Sequence, residues 1–371
     1  GSTDGTAAVL AETASADARF RIITQTNHGL VASLNRGIAE ARGSLIARID
    51  ADDIAEPGRL EAQVEFLRAH PKVAVVGSAS STFANGINIT DGCFAIDGVC
   101  FTGSVAGGAA VEQAAAGRFI HVGLELGGND SLIVTASADL DRATDVALRA
   151  TCLATGQACQ SLERVYVDRR IVAPFIERLV AKAQRVEPNW PDIHAGTIGP
   201  FIFGSQADIV AAQLADACAK GARVLCGGEI LDHGGKWLRP TVLVDVDHSM
   251  AIMTEETFGP VIPVMPFDTV EEAIALANHG EYGLSAAVIA GTLEEAEAIG
   301  RYLDAGGISL NDGSLTAMCH EAEKHSFKLS GLGGSRMGAA GYLRFFRRKA
   351  LIRQHGAPAT LDSINESFAR S

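Results

Sequence analysis

The sequence predicts an α/β protein, and three observations carry that prediction. Short β-rich runs alternate with stretches of helical periodicity along most of the chain, and such alternation predicts a parallel sheet covered by helices. Capping-box patterns, Thr269-Val270-Glu271-Glu272 and Thr292–Glu295, follow directly on β-like runs and mark helix starts. Apolar residues make up 47% of the chain and charged residues 20%, enough to close a core in each of the two or three domains that 371 residues allow.

Composition narrows the function classes. A net charge of −13 argues against a general nucleic-acid or anionic-membrane surface. No run of 18 apolar residues is present to span a bilayer. The chain opens at Gly1-Ser2-Thr3-Asp4, with no initiator Met and no basic segment leading into an apolar one, so it reads as a piece or as a chain whose true start is not shown. Seven cysteines, an odd number without a CxxC, suit a reduced, cytoplasmic setting. Six of them, Cys93, Cys100, Cys152, Cys218, Cys226 and Cys319, are expected to be small buried hydrophobes. Cys159 stands apart by its neighbours.

An Ala-rich helix is expected after Gly5. Arg21-Ile22-Ile23-Thr24 reads as a strand, residues 30–42 as a helix closed by Gly43, and Leu45–Ile49 as a strand. Asp50-Ala51-Asp52-Asp53 follows at once, Pro57 opens another helix, and Val73–Gly77 is a third strand. Asp50 and Asp52 could hold a hard divalent cation that in turn holds a diphosphate; a solvated strand-end turn is the plain alternative. The run GSTDGT, then NHGLVASLNRG, DADD and PGRLEAQVEFLRAHPKVAVVGS resembles a family 2 glycosyltransferase of the GT-A fold. The resemblance implies a nucleotide-sugar donor, Mn2+ or Mg2+ at Asp50 and Asp52, and Asp4 in the nucleotide-side loop. The family's first strand and its acceptor half have no counterpart here, so residues 1–92 are expected to be an inactive partial segment.

Ser78 to Asp91 is rich in Ser, Asn and Gly and reads as a junction. Strands are then expected at Val99–Phe101, Ile120–Leu124, Val165–Val167, Arg223–Leu225, Pro240–Val244, Pro260–Phe267, Ser285–Ile289 and Gly307–Asn311. Helices are expected at Leu140–Leu153, Val172–Val186, from a capping box at Ser205–Asp208 to Gly221, and near residues 341–350.

Three stretches of this part carry chemistry. Leu124-Glu125-Leu126-Gly127-Gly128 sets a carboxylate among glycines. Cys159 lies 34 residues further on in Gly156-Gln157-Ala158-Cys159, and Glu256 with Phe258 in EETFGP another 97 on. A nucleophilic thiol and a water-activating carboxylate are the parts of acyl chemistry through a thioester. Each has a plain alternative: a solvated strand-end Glu, a core Phe beside a surface Glu. In order and spacing the stretches resemble the aldehyde dehydrogenase superfamily over about residues 97–355. The resemblance implies that Cys159 is the nucleophile and Glu125 the general base. It also implies that Gly103 and Ser104 of FTGS, with Gly127, Glu256 and Phe258, lie against NAD or NADP. The family usually has Asn where Ala154 stands.

The implied reaction is oxidation of a small-molecule aldehyde to an acid by a protein that is a homo-oligomer if folded. The implied layout is a cofactor-domain remnant at 93–124, a catalytic domain at 125–310 and a C-terminal cofactor and oligomerisation segment at 311–371. The family's second oxyanion donor and its adenine-ribose lysine have no counterpart here. Loss of one oxyanion donor costs ~10²–10³ in rate, so turnover by this polypeptide is expected to be weak or absent. A metal-dependent glycosyltransferase and a non-catalytic fusion fragment are the competing readings.

Overall fold

The structure is a computed structural model. It describes residues 6–17, 19–26, 29–47, 58–69, 98–192, 194–338, 341 and 344. The chain divides into two compact units, Gly1–Cys93 and Phe94–Ser371.

The described part of the first unit is three helices, α1 (Thr6–Ala16), α2 (Gly29–Glu40) and α3 (Arg59–Ala69). All three were expected from the sequence, by the Ala-rich run after Gly5, the stretch before Gly43 and the Pro57 start. The strand expected at Arg21–Thr24 is not formed. The segment instead binds α2 through side chains: Arg21 donates to the Glu40 carbonyl at 2.6 Å, and Gln25 donates to Ser33 Oγ at 2.7 Å. A β-run needs a partner strand to become a ladder, and none occurs among the described residues of this unit. Gly43 lies beyond the end of α2 and outside the left-handed region, so it does not cap the helix. Asp4, Asp50, Asp52 and the strand expected at Val73–Gly77 lie outside the described residues.

In the second unit the expected alternation holds. β1 (Gly98–Thr102), α4 (Val105–Ala115) and β2 (His121–Glu125) come first, followed by β3 (Asp130–Val134), α5 (Leu140–Cys152), β4 (Leu162–Asp168) and α6 (Val172–Ala183). Next are α7 (Gly204–Ala219), β5 (Arg223–Cys226), β6 (Ile230–Asp232), β7 (Lys236–Leu238), β8 (Thr241–Val244) and β9 (Val261–Phe267). The described part ends with α8 (Val270–Asn278), β10 (Tyr282–Gly283), β11 (Ser285–Ile289), α9 (Leu293–Gly300), β12 (Gly307–Leu310), α10 (Leu315–Met318), β13 (Phe327–Lys328) and β14 (Gly331–Leu332).

The main sheet has the order β12-β11-β3-β4-β9-β8-β5, parallel except for the last pair. Its central strands are apolar on both faces, as a sheet covered on both sides requires. Leu132, Val134, Val165 and Val167 point toward α5 and α6, and Ile133 and Tyr166 toward the opposite core; all six are fully buried. The period-two alternation divides one strand between two cores. A smaller sheet, β1-β2-β14, joins the early residues to the late ones: Gly331 pairs with Glu125.

Thr269 and Thr292 cap α8 and α9 as their sequences predicted, accepting from Glu272 N–H at 3.2 Å and Glu295 N–H at 3.1 Å. The capping box expected at Ser205 is not formed. α7 begins at Gly204 with Phe203 at its N-cap and no side-chain cap, which puts Ser205 inside the first turn. Cys218 and Cys319 are exposed, contrary to the expectation of buried hydrophobes. No helix among the described residues is long and apolar enough to cross a membrane.

Candidate active site

The site is built where β2 ends and β3 begins. At this point the chain leaves the small sheet for the large one through Glu125-Leu126-Gly127-Gly128. Both glycines are required by space. A Cβ on Gly127 would lie 2.7 Å from Glu256 Oε2, and one on Gly128 would collide with the Cys159 carbonyl. Gly128 N–H donates to Glu256 Oε1 at 3.0 Å. The three stretches separated in sequence therefore meet at this pair of glycines.

Cys159 follows α5 through a tight turn in which Ala154, Thr155 and Gly156 all have positive φ, 52°, 61° and 71°. Side chains fasten this turn. Thr155 Oγ1 accepts from Gly199 N–H at 3.0 Å, and Gln157 donates to the Pro200 carbonyl at 3.1 Å while accepting from Ile202 N–H at 2.8 Å. Ala154 occupies the place where the resemblance implies Asn, and the left-handed φ supplies the reason, since Asn adopts that region far more readily. Ala154→Asn is expected to stabilise the unit by about 1 kcal/mol, a rise of about 2–4 °C in Tm; thermal melting measures it, and an unchanged or lower Tm contradicts it.

The electrostatics around the thiol are mixed. Burial pushes the Cys159 thiol up; the Asp130, Glu256 and Glu125 carboxylates add to this, and Arg336 opposes it. The resting form of Cys159 is therefore the thiol. Glu125 has a 13% exposed side chain, receives a 3.3 Å hydrogen bond from Ser326 Oγ and faces Arg336 at 3.9 Å. Asp130 is pushed up to about 7 by burial, against hydrogen bonds from the Ser285 hydroxyl and Ser285 N–H.

A raised carboxyl carries a definite sign. The unfolded chain ionises near the ordinary value of 3.8 and the folded chain only near 7, so stability falls as pH rises through that window. Asp130→Asn keeps partners for Ser285 and is expected to remove a fall on the order of 3 kcal/mol between pH 5 and pH 8. Urea titrations at pH 5 and pH 8 measure it, and parallel slopes for variant and parent would contradict it.

Among the residues expected to face a cofactor, Glu256 is pushed up by burial, and Phe258 adopts φ 51°. Ser104 Oγ caps α4 by accepting from Gly107 N–H at 3.2 Å, and Gly103 N–H donates to the Glu125 carbonyl at 3.1 Å. FTGS is thus tied to the end of the strand that carries Glu125.

One organising residue escaped the sequence reading. Glu163, 2% exposed, accepts from Thr257 N–H at 2.9 Å, Phe258 N–H at 2.8 Å and Asn129 Nδ2 at 3.0 Å. Burial pushes its carboxyl up to about 8 despite these donors. Its neighbour Arg164 is also buried and donates to the Asn129 carbonyl at 2.8 Å, the Ala277 carbonyl at 3.1 Å and the His279 carbonyl at 3.0 Å, closing the end of α8. The only available signal was a charged pair, four and five residues after the cysteine, in a strand buried on both faces. No cluster of metal ligands occurs among the described residues.

Comparison with known proteins agrees with this geometry. The aldehyde dehydrogenase family model matches residues 84–351, starting earlier than the resemblance did, and the model of glycosyl transferase family 2 matches residues 1–92. A solved aldehyde dehydrogenase from Anabaena variabilis is 51% identical with a TM-score of 0.70, covering 71% of this chain and 57% of its own. Lactaldehyde dehydrogenase from Escherichia coli is 36% identical with a TM-score of 0.64, covering 68% and 52%. A protein of Mycolicibacterium smegmatis named as a succinate-semialdehyde dehydrogenase [NADP(+)] is 37% identical over 262 residues, 70% of this chain and 50% of its own. The chain spans about half the length of the curated relatives it matches. With its α/β sheets, its Cys159 and Glu125 site and a family match over most of its length, the chain belongs to the aldehyde dehydrogenase family.

Proposed function

We propose that the second unit oxidises an aldehyde to a carboxylic acid through a thioester on Cys159, with NAD or NADP as the electron acceptor. The observation that carries this is the meeting of three distant stretches at Gly127 and Gly128, one bringing the thiol, one the base and one Glu256. Relatives named as NAD-dependent or solved with an NADP-type ligand support the choice of cofactor.

The residues present fit such a group. Glu256 is held by Gly128 N–H through one oxygen and packs on the bare Gly127 backbone, an arrangement a Cβ would destroy. Glu256 would take the nicotinamide ribose, Phe258 would pack near the ring, and the FTGS turn of Gly103 and Ser104 would lie along the phosphates. When bound, the cofactor supplies the acceptor for hydride.

The Cys159 thiol gives its proton to Glu125, which passes it to solvent, and Sγ attacks the carbonyl carbon, whose oxygen becomes an oxyanion that the Cys159 backbone N–H stabilises. After hydride leaves, the acyl group remains on Sγ as a thioester. Glu125, positioned by Ser326 and Arg336, draws a proton from water, whose oxygen attacks the acyl carbon; the C–S bond breaks and the acid departs.

The test is alkylation of the cysteines by limiting iodoacetamide, read by mass spectrometry. Cys218 and Cys319, exposed in the same chain, serve as references. NAD+ or NADP+ is expected to raise the rate at Cys159 and to leave the references unchanged. A Cys159 indifferent to both cofactors, together with no NADH absorbance from any aldehyde, would refute the proposal.

For the first unit, the family match over residues 1–92 favours a second reading, a nucleotide-sugar site, and the DADD run makes Asp50 and Asp52 the candidates for Mn2+ or Mg2+. Binding of UDP-glucose that depends on manganese and is lost in Asp52→Asn would bear this out; manganese-independent binding would not.

A further inference from the structure

Two hydrogen-bond donors beside the nucleophile have no acceptor among the described residues. Gln160, the residue after Cys159, is 9% exposed; its Oε1 accepts from Thr316 Oγ1 at 3.2 Å, while its buried Nε2 has no partner. The Nζ of Lys324 is likewise buried without one. The two residues belong to one neighbourhood. A Cβ on Gly307 would lie 2.7 Å from Thr316 Cγ2 and 2.9 Å from Lys324 Cδ, so the Gln160 partner and the lysine stem flank the same glycine. Lys324 is anchored at its backbone, where its N–H donates to Ser335 Oγ at 3.0 Å.

The charges that face Lys324 come from several elements. Asp130 of β3, Glu125 of β2 and Cys159 favour its charged form, and Arg336 opposes it. Glu256 faces Cys159 from the loop before β9. The two nearest carboxylates are otherwise engaged: Asp130 by the hydroxyl and N–H of Ser285, Glu125 by Ser326 and Arg336. Neither makes an ion pair with Lys324 among the described residues. A buried ammonium and a buried amide N–H that lack acceptors are costly, and the accepting oxygens of a carboxylate would satisfy both.

We propose that Lys324 and Gln160 form a subsite for the anionic end of the substrate, which makes the substrate class a short aldehyde carrying a carboxylate. The inference rests on Cys159 being the nucleophile. Burial holds the Lys324 ammonium below the ordinary lysine range, and an arriving carboxylate supplies the missing counter-charge.

The experiment compares two alkylating reagents of the same reach and opposite character, iodoacetate, which is anionic, and iodoacetamide, which is neutral. Both react through the thiolate, so the ratio of their rates cancels the ionisation of the thiol and reports the local field. In the parent protein the iodoacetate-to-iodoacetamide ratio at Cys159 is expected to exceed that at the exposed Cys218 and Cys319. Lys324→Met is expected to lower it by about fivefold or more, and Lys324→Arg to retain it. A parent ratio no higher than the references overturns the proposal without any variant, and so does a ratio unmoved by Lys324→Met. The oxidation reading is judged separately, by the cofactor response of Cys159. A charge ratio that depends on Lys324, with neither that response nor NADH absorbance from any aldehyde, keeps the anion subsite and refutes the oxidation.

Discussion

Gly128→Ala is expected to abolish the cofactor response of Cys159 and to lower the stability of the second unit by about 2–3 kcal/mol. The added methyl would run into the Cys159 carbonyl and lie 2.9 Å from Asp130 Oδ1. Neither neighbour can yield cheaply. The carbonyl is backbone at the end of a turn fastened by Thr155 and Gln157, and Asp130 is held by Ser285. The strand-to-loop passage must then open, and Gly128 N–H leaves Glu256. Gly204→Ala is the control, because nothing lies within 4 Å of its added Cβ and it opens α7; it is expected to be neutral or slightly stabilising. The readouts are Tm and the change that NAD+ makes in Cys159 alkylation. A Gly128→Ala protein with the parent's Tm and the parent's cofactor response would show that the close approach at this glycine has no energetic weight.

Measured above pH 8, where its carboxyl is ionised, Glu163→Gln is expected to cost about 3 kcal/mol, although it removes a charge from a buried place. The parent carboxylate offers only acceptors, and three donors use them: Thr257 N–H, Phe258 N–H and Asn129 Nδ2. An amide turns one of those acceptors into an N–H that faces other N–H groups, so at least one buried donor loses its partner. The loop that carries Glu256 and Phe258 loosens as a result, and the cofactor is expected to bind more weakly with little change in the far end of the sheet. Urea unfolding measures the stability, and quenching of protein fluorescence by NAD+ measures the binding. Equal stability and equal affinity in the variant would mean that the carboxylate is not what orders residues 255–258.

Much of this protein was legible because local patterns carry their own physics. Thr269 and Thr292 cap their helices because a short hydroxyl side chain can reach the N–H three residues on, whatever the rest of the chain does. Ser205 does not cap, because α7 begins at Gly204 and takes Ser205 into its first turn, a boundary that the local pattern does not display. Arg21–Thr24 has the composition of a strand and is not one, since its state depends on a neighbour to pair with. Cys218 and Cys319 looked like core residues by type and are exposed by position.

The residue types of the site, its thiol, its carboxylates and its glycines, were set by the linear order of Glu125, Cys159 and Glu256. Their meeting was not. Only the folded chain brings Gly127 under the Glu256 carboxylate and Gly128 against the Cys159 carbonyl. It also buries Glu163 beneath three donors and leaves Lys324 and Gln160 without acceptors. The physical reason is range: capping, turn conformation and alternation act over a few residues and can be read along the chain, whereas desolvation and the pairing of buried polar groups depend on what arrives from more than a hundred residues away.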